Sequence, residues 1–328
     1  MTLRLGAIGW RNHAARIIDL ADASGLGRVE VVHHPDYVPA RPGGTTRFED
    51  LLDCDAVLIL SPNDTHGGYL RRLAGYGGYV FCEKPPVTTR ADWEMLRTLD
   101  AGRTCFGFNL RFSRWAERAR EAVADGRLGR VLHAEVQSTH GLAFKDIFPG
   151  SWRADGARHR HSVLETVAVH FVDLLGHLLG PIERWDYAPS NAAGRGTAYD
   201  TCHLATRHAG GATSSVLASY AAPFALRLSL LGSNGVLTCD PQGIALHGPR
   251  DTFDARGNFA APPERFREDA DFDTVFRESL ARSLAFFLEH ARDRRPLPPE
   301  LFDLSVRTTG MVLDVTDEAR SDVVQPSC

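Results

Sequence analysis

The chain has 328 residues, which is more than one hydrophobic core usually organises, so the sequence predicts two domains or one domain with a large extension. Hydrophobic residues make up 43% and charged residues 24% of the chain, as in an ordinary folded protein, and this composition does not suggest long disordered regions. The 37 basic and 41 acidic residues give a net charge of −4 without a basic cluster, which argues against nucleic acid as a partner.

Five short apolar runs in the first third of the chain alternate with segments of helical period. After the first run, apolar residues recur at i, i+3, i+4 and i+7 from Ala14, which is one face of a helix, and Asn12 stands at its N-cap. Nearly continuous apolar strands that alternate with helices predict a parallel, doubly wound sheet of the Rossmann type. The predicted strands are LRLGAI (3–8), RVEVVH (28–33), DAVLIL (55–60), YVFCEK (79–84) and TCFGFN (104–109).

Beyond a helical segment at 113–126, apolar and polar residues alternate, which is typical of a sheet with unlike faces. We expect an α+β domain with an open, mostly antiparallel sheet, followed by two closing helices. The predicted strands are 130–140, 199–208, 212–222, 225–233 and 235–240, and the helices are roughly 271–292 and 300–320. The sequence therefore predicts a Rossmann domain over 1–118 and an α/β substrate and oligomerisation domain over 119–328, whose last helices could pack back on the first domain.

The six cysteines are scattered without a CxxC pair, and at least three lie inside apolar runs, which is typical of buried thiols in a reduced protein. The N-terminus lacks a targeting pattern, and no apolar run reaches the length of a membrane span. We therefore expect a cytoplasmic protein without a membrane partner.

The stretch GAIGWRNHA (6–14) joins the first strand to the first helix. A dinucleotide-binding turn needs one glycine for the tight turn, a second for approach of the pyrophosphate, and a third small residue for helix packing; Gly9, Arg11 and Ala14 stand in these places. Arg11 either obstructs the pyrophosphate or pairs with a phosphate, and a third reading is a tight turn without a ligand. The cofactor reading assigns Gly9, Trp10, Arg11 and Asn12 to the cofactor.

The end of the second strand lacks the acidic residue that usually accepts the adenosine ribose hydroxyls. The sequence there is HHPD, with His33 or His34 at the strand tip and Asp36 beyond a proline. Selectivity for NAD is therefore unsupported, and His34 could tolerate a 2′-phosphate, so NADP is slightly preferred over NAD. Two turn histidines without any ligand fit the sequence equally well.

Two polar motifs, SPNDTH (61–66) and CEKPP (82–86), each follow a buried parallel strand. Ligands of open α/β sheets bind at this carboxyl edge. A lone lysine is more often a solvated surface residue, but Lys84 accompanies a second motif at the same edge. We expect the cofactor to contact both motifs, through Ser61, Pro62, Asn63, His66, Glu83 and Lys84.

These motifs, in this order, resemble those of the glucose-fructose oxidoreductase / inositol dehydrogenase / MocA (Gfo/Idh/MocA) family. SPNDTH resembles the family's TPNxxH-like stretch, Glu83–Pro85 its EKP motif, and GFNLRF (107–112) its GFNxRF-like segment. The resemblance runs from end to end, because later family motifs match RLGRV (127–131), SWRAD (151–155) and GSNGVL (232–237).

The resemblance implies a Rossmann domain and an α/β domain whose open sheet mediates a homodimer or homotetramer. It also implies hydride transfer between NAD(P) and a hydroxyl-bearing carbon of a sugar or cyclitol, with Lys84 contacting substrate and nicotinamide. The family's GGGxLxDxGxH motif supplies an Asp and a His for proton transfer; here His170 is kept, but Thr166 replaces the Asp. Threonine exchanges no proton near neutral pH, so the acid/base relay is incomplete.

From the residues alone, one polar face of a helix is formed by Thr166, His170, Asp173 and His177. The basic loop RADGARHRH (153–161) favours an anionic substrate, and its HxH pair belongs to this basic patch, so no metal is expected. The predicted substrate contacts are Lys84, Asn109, Trp152, Arg153, Thr166, His170 and Asp173.

The sequence thus predicts an NAD(P)-dependent oxidoreductase that transfers hydride between nicotinamide and the hydroxyl or carbonyl carbon of a small polar, sugar-like or cyclitol substrate. Lys84 and His170 are the predicted catalytic residues. The alternative is a protein of the same fold without redox turnover, either a lyase or isomerase that uses these two residues or a ligand-binding protein.

Overall fold

The computed structural model describes residues 2–250 and 252–321. These residues form two compact units. Of the described residues, the first unit contains 2–109 together with Glu278–Leu313, and the second contains 110–250, 252–277 and 314–321. The division of the sequence into 1–118 and 119–328 stays a prediction.

The first unit contains a parallel sheet of six strands. Its strands are β1 (Leu3–Ile8), β2 (Gly27–His33), β3 (Gly44–Thr45), β4 (Ala56–Ile59), β5 (Tyr79–Cys82) and β6 (Thr104–Phe106). They lie in the order β3-β2-β1-β4-β5-β6, and every pair is parallel. The predicted Rossmann-type sheet is therefore confirmed; the two-residue β3, which is too short to give a sequence pattern, was not predicted.

Three short helices connect these strands: α1 (His13–Ala23), α2 (His66–Arg72) and α3 (Arg90–Leu96). Helix α1 buries the apolar face that begins at Ala14, as its spacing predicts. It begins directly after Asn12, but the Asn12 side chain makes no capping hydrogen bond. The reason is the backbone of Asn12, whose φ of 53° and ψ of −114° lie outside the extended region that an N-cap residue usually adopts.

The second unit contains a mostly antiparallel sheet of eight strands, which confirms the predicted α+β domain. Among the described strands of this sheet, only β7 and β10 pair in parallel, and the order is β14-β13-β12-β11-β7-β10-β9-β8. The strands are β7 (Val131–Thr139), β8 (Ile182–Ser190), β9 (Thr201–His208), β10 (Thr213–Ser219), β11 (Ala225–Gly232), β12 (Val236–Asp240), β13 (Gly243–His247) and β14 (Glu264–Glu268).

Three of these strands were missed by the sequence prediction. Strand β8 contains Pro189, which weakens its strand pattern, and β14 is the polar edge sequence ERFRE. Strand β13 has four buried residues in a row and shows no alternation.

The remaining helices come before, between and after the strands of the second sheet in chain order. Helix α4 (Arg114–Ala124) begins after Ser113, whose side chain accepts a hydrogen bond from the Ala116 N–H. Helix α5 (Val169–Leu179) follows directly on a π-helical turn, Leu164–Ala168. The closing helices are α6 (Phe272–Arg292) and α7 (Pro299–Ser321), close to the predicted bounds. Over residues 2–250 and 252–321, none of the helices combines the length and the apolar character that crossing a membrane requires.

Candidate active site

The predicted dinucleotide turn lies where β1 ends. Gly9 has a φ of +96°, and a Cβ at this position would lie 2.9 Å from the Leu60 carbonyl oxygen and 3.0 Å from the Ser61 nitrogen. Both are backbone atoms that cannot rotate away, so the position requires glycine. The turn therefore keeps the close backbone packing on which a dinucleotide site depends.

Arg11 is exposed, and its guanidinium lies over aromatic rings. The guanidinium carbon is 5.0 Å from the centre of the Trp10 ring and 5.6 Å from that of Tyr37, and Tyr37 stacks on His34 at 3.8 Å. We call Trp10, Arg11, His34 and Tyr37 the aromatic cluster. Within the described residues, the buried Trp10 Nε1 has no hydrogen-bond partner. The cluster therefore offers an unused donor and a cation where β1 and β2 end.

His66 joins the two motifs at the carboxyl edge. Its Nδ1 lies 2.8 Å from the Pro85 carbonyl oxygen, and its Nε2 lies 2.9 Å from the Ser61 carbonyl oxygen. Burial lowers the pKa of His66, and the two carbonyl contacts oppose this shift. Because the ring spans both loops, it fixes the loop that carries Lys84 against the loop that follows β4.

Glu83, next to Lys84, is a buried carboxylate that lies near His13 and His66. His13 Nε2 lies 3.4 Å from its Oε1. Burial alone would raise the pKa of Glu83, but His13, Lys84 and His66 outweigh burial, so the pKa is lowered. Glu83 is therefore ionised at neutral pH and places a negative charge beside Lys84.

Two further cofactor predictions fall in the loop after β4. Pro62 is exposed, and Asn63 opens a short 3₁₀ turn, Asn63–Thr65, in which its Oδ1 accepts from the Asp64 N–H. Both residues therefore stand at the same edge as Ser61 and His66.

Asn109, a predicted substrate contact, lies in the interior of the first unit. Its side chain is buried, and its Nδ2 donates to the Ser279 hydroxyl of helix α6 at 2.7 Å. Asn109 thus ties the end of the sheet to this helix.

The predicted polar helix face is interrupted by the π-helical turn that contains Thr166. Such turns are rare and are frequent at functional sites. The partly exposed Thr166 hydroxyl donates to the Ser162 carbonyl oxygen at 2.6 Å and also meets the Tyr220 hydroxyl. His170, also partly exposed, lies in the first turn of helix α5, and its ring meets Phe276 edge-on with the ring centres 6.4 Å apart.

Asp173, the third member of this face, points into the interior of the second unit. The Arg111 and Asp173 side chains are 4% and 1% exposed. Arg111 Nε donates to Asp173 Oδ2 at 2.6 Å, and Nη2 donates to Oδ1. A direct substrate contact by Asp173 would require this ion pair to open.

The basic loop of the second unit is organised around aromatic and histidine rings. Arg153 lies 4.4 Å over the Trp152 ring, and Trp152 meets His159 at 4.8 Å. His159 Nδ1 lies 3.2 Å from the Glu165 carboxylate, and His161 Nδ1 lies 3.0 Å from the Tyr187 hydroxyl. Each member of the HxH pair therefore has its own polar partner, and across residues 2–250 and 252–321 no group of three or more His, Cys, Asp or Glu could hold a metal ion.

Two models of protein families match this chain. One, described as "Oxidoreductase family, NAD-binding Rossmann fold", matches residues 11–106, and the other, "GFO/IDH/MocA C-terminal domain", matches residues 116–238. Together they cover more than half of the chain. The chain belongs to the GFO/IDH/MocA oxidoreductase family. It is thus an NAD(P)-dependent oxidoreductase by class, with an NAD-binding Rossmann domain.

Relatives of this GFO/IDH/MocA chain include enzymes of cyclic sugars and polyols. Inositol 2-dehydrogenase of Rhizobium meliloti (strain 1021) is 27% identical over 74% of this chain and 77% of its own length. 1,5-Anhydro-D-fructose reductase of Ensifer adhaerens is 30% identical over 46% of each chain. Levoglucosan dehydrogenase, solved with NADH and levoglucosan, has a TM-score of 0.80 at 18% identity and 98% coverage of both chains, which shows a shared fold.

Sequence reasoning missed two residues of this family member's candidate site. Tyr37 follows Pro35 and Asp36 in a turn, and no spacing rule predicted its stack on His34. Tyr220 follows β10, 54 residues beyond Thr166, and only the fold brings the two hydroxyls together. An aromatic residue at a strand end was the one signal available for Tyr220.

Proposed function

We propose that this chain is an NAD(P)-dependent dehydrogenase or reductase of small cyclic polyols or sugar-like substrates. Bound cofactor would supply hydride exchange with a hydroxyl- or carbonyl-bearing carbon. The observation that carries the proposal is Lys84, which stands beside the ionised Glu83 on a loop that His66 fixes at the carboxyl edge of the sheet.

The first unit fits a dinucleotide. The turn at Gly9 has no room for a side chain. The guanidinium of Arg11 lies over the Trp10 ring and does not fill the turn. The first N–H groups of the 11-residue helix α1 suit an anion. The buried Trp10 Nε1 is an unused donor beside this turn. The residues proposed to hold the cofactor are Gly9, Trp10, Arg11, Asn12, His34, Ser61, Pro62, Asn63, His66, Glu83 and Lys84.

We propose a preference for NADP over NAD, since His34, which directly follows β2, stands where an acidic residue would select NAD. His34 Nδ1 accepts from the Asp36 N–H at 3.2 Å, so its Nε2 carries the proton in the neutral ring and can donate. Arg11, 5.6 Å from the Tyr37 ring, adds a cation to the same cluster. A donor and a cation suit a 2′-phosphate better than a 2′-hydroxyl.

Lys84 and His170 are proposed to move the proton at the substrate oxygen. In oxidation the hydroxyl proton passes to one of them as the carbon loses hydride, and in reduction the same group returns the proton. Lysine suits this task because its ammonium can lose a proton, whereas arginine stays protonated. The chain has only two lysines, Lys84 and Lys145, against 35 arginines, so lysine stands here in a chain that otherwise uses arginine for positive charge.

The first test is calorimetric titration of the purified full-length chain with NADH and with NADPH, after checking that neither co-purifies. We expect micromolar binding, tighter for NADPH. Arg11→Ala should weaken NADPH binding by about 1.5–3 kcal/mol, the range for hydrogen bonds to charged groups. Unchanged affinity in Arg11→Ala would remove Arg11 from the site, and no binding of either nucleotide would overturn the proposed function.

Turnover is tested by NAD(P)H absorbance with myo-inositol, levoglucosan and 1,5-anhydro-D-fructose as probes. Lys84→Met should lower kcat by at least 10²-fold, while Lys145→Met, the matched control in a loop of the second unit, should leave it unchanged. Because these are the only two lysines, reductive methylation read by mass spectrometry gives a second readout. NADPH should protect Lys84 and not Lys145.

Thr166 favours a second candidate, a lyase or isomerase of the same fold. Its hydroxyl proton is engaged by the Ser162 carbonyl, so the family's Asp has no acidic replacement at this position. Conversion of a probe, followed by NMR, without any change in NAD(P)H absorbance would favour this candidate.

A further inference from the structure

Tyr220 is a buried tyrosine that meets Thr166 inside the second unit. Its side chain is 1% exposed, and its hydroxyl lies against Thr166 Oγ1. The backbone holds it on both sides: its N–H donates to the Asp200 carbonyl oxygen at 2.7 Å, and its carbonyl accepts from the Ala143 N–H at 2.9 Å. These two hydrogen bonds fix the backbone of Tyr220 and hence the position from which its buried side chain extends.

The hydrogens of this pair can be counted. The Ser162 carbonyl can only accept, so the single Thr166 hydroxyl hydrogen is committed to it at 2.6 Å. In the contact between the two hydroxyls, Tyr220 must then donate and Thr166 must accept. Thr166 Oγ1 is thereby oriented as an acceptor.

Charge and burial keep Tyr220 in this donor role. Burial raises the pKa of Tyr220, and the Thr166 hydroxyl and the positive charge of Arg153 offset only part of this shift. The phenol therefore stays protonated through the neutral range. The nearby Arg153 charge polarises the phenol and strengthens its O–H as a donor.

We propose that Tyr220 is a positioning residue that fixes the Thr166 hydroxyl as a hydrogen-bond acceptor for a hydroxyl group of the substrate. The inference rests on the proposed function, because it takes the substrate to be a polyol that Thr166 contacts. It assigns Thr166 a recognition role where the family motif has a proton-transferring Asp. A substrate that offers a hydroxyl donor at this position is favoured over one that offers a carbonyl.

A positioning role differs measurably from an acid/base role. Tyr220 is buried and its proton faces Thr166, so it does not touch the reacting atoms. Its loss should weaken substrate binding and raise KM, with kcat changed less than about twofold and with an unchanged pH profile. A general acid or base would instead lower kcat and remove one limb of the pH profile.

The experiment is calorimetric binding of myo-inositol to the full-length chain saturated with NADPH, a readout that needs no turnover. Tyr220→Phe and Thr166→Val should each weaken binding about three- to tenfold, the value of one neutral hydrogen bond. The double variant should be no weaker than Thr166→Val alone, because both changes remove the same interaction. Thr166→Ser keeps the hydroxyl and should restore binding to within about twofold.

Tyr187→Phe is the matched control, since Tyr187 is a half-buried tyrosine whose hydroxyl lies 3.0 Å from His161 Nδ1. It should leave myo-inositol binding unchanged. Equal losses in Tyr187→Phe and Tyr220→Phe, or additive losses in the double variant, would overturn the inference.

The two proposals fail separately. Binding of myo-inositol without NADPH formation in the presence of NADP⁺, with the expected variant pattern, defeats the proposed redox function and supports the role of Tyr220. Turnover with unaltered affinity and KM in Tyr220→Phe overturns the positioning role alone. Absence of myo-inositol binding to the wild-type chain overturns this inference outright.

Discussion

Asp173→Asn separates a structural role of the Asp173 carboxylate from a role in substrate binding. The sequence predicted a substrate contact, whereas the folded chain pairs Asp173 with Arg111 inside the second unit. Asparagine keeps the shape of the side chain and removes its charge. The guanidinium is then left buried without this counterion, which is the costly half of breaking a buried ion pair.

The expected loss is large because both side chains are almost fully buried. Breaking such a pair costs about 3–5 kcal/mol, and at a slope of about 2 kcal/mol per molar urea this lowers the midpoint by about 1.5–2.5 M. Replacing both partners, as in Arg111→Met with Asp173→Leu, should cost less than Asp173→Asn alone, since no buried charge remains.

Urea unfolding of the full-length chain, followed by near-UV circular dichroism, measures this loss. Asp125→Asn is the control: Asp125 pairs with Arg127 on the surface of the same unit, with side chains 45% and 41% exposed, so it should change stability by less than about 1 kcal/mol. A wild-type midpoint in Asp173→Asn together with lost myo-inositol binding would refute the structural role and return Asp173 to the substrate site.

Three further predictions concern the backbone at Gly9, the loops that His66 joins, and the pH dependence of stability through His177. Gly9→Ala should weaken NADPH binding at least tenfold by clashing with backbone, whereas Gly75→Ala, with a φ of +83° and open space around it, adds backbone strain alone and should leave affinity unchanged in the same titration. His66→Ala should lower the free energy of unfolding by about 1–3 kcal/mol by leaving unpaired the buried carbonyl to which the neutral ring donates, and should weaken NADPH binding; a variant with wild-type stability contradicts this. Burial, helped by nearby arginines, lowers the pKa of His177 to about 4, so the neutral ring is favoured in the folded state. Stability should therefore be intact above pH 6.5 and fall by about 1–2 kcal/mol, after allowance for screening, as the pH drops towards 4, and His177→Gln should remove this part of the pH dependence of urea midpoints.

The fold was predictable where the sequence pattern is local and strong. The strands of the first unit are short, nearly continuous apolar runs, and the closing helices have helical period over about 20 residues, so both were found. Strand β14 was not predictable because it is charged and lies at the edge of the sheet. Strand β8 combines polar residues with Pro189, which no local rule assigns to a strand.

The candidate site was predictable only as far as its motifs. Gly9, His66 and Lys84 lie in short sequence motifs in which each residue type has a physical role. The partners that decide what Asp173, Thr166 and Asn109 do are 62, 54 and 170 residues away, so spacing along one helix or loop could not reveal them. The same spacing suggested one continuous polar face, but the π-helical turn at Leu164–Ala168 changes the register of that face.

The first unit combines two segments that lie far apart in the chain, and this affects when the unit can fold during protein synthesis. The last strand of its sheet ends at Phe106, whereas aromatic residues that pack on the sheet come from the closing helices. Phe287 packs on Tyr79 and Phe81, and Phe302 packs on Phe106. Roughly 170 residues separate Asn109 from Glu278, so at about 5–20 residues per second the ribosome needs about 10–30 s to deliver the missing aromatic partners. During that interval the aromatic residues of α6 and α7 cannot yet cover the apolar side chains of the first sheet. We expect the chain to depend most on a chaperone at this stage of translation.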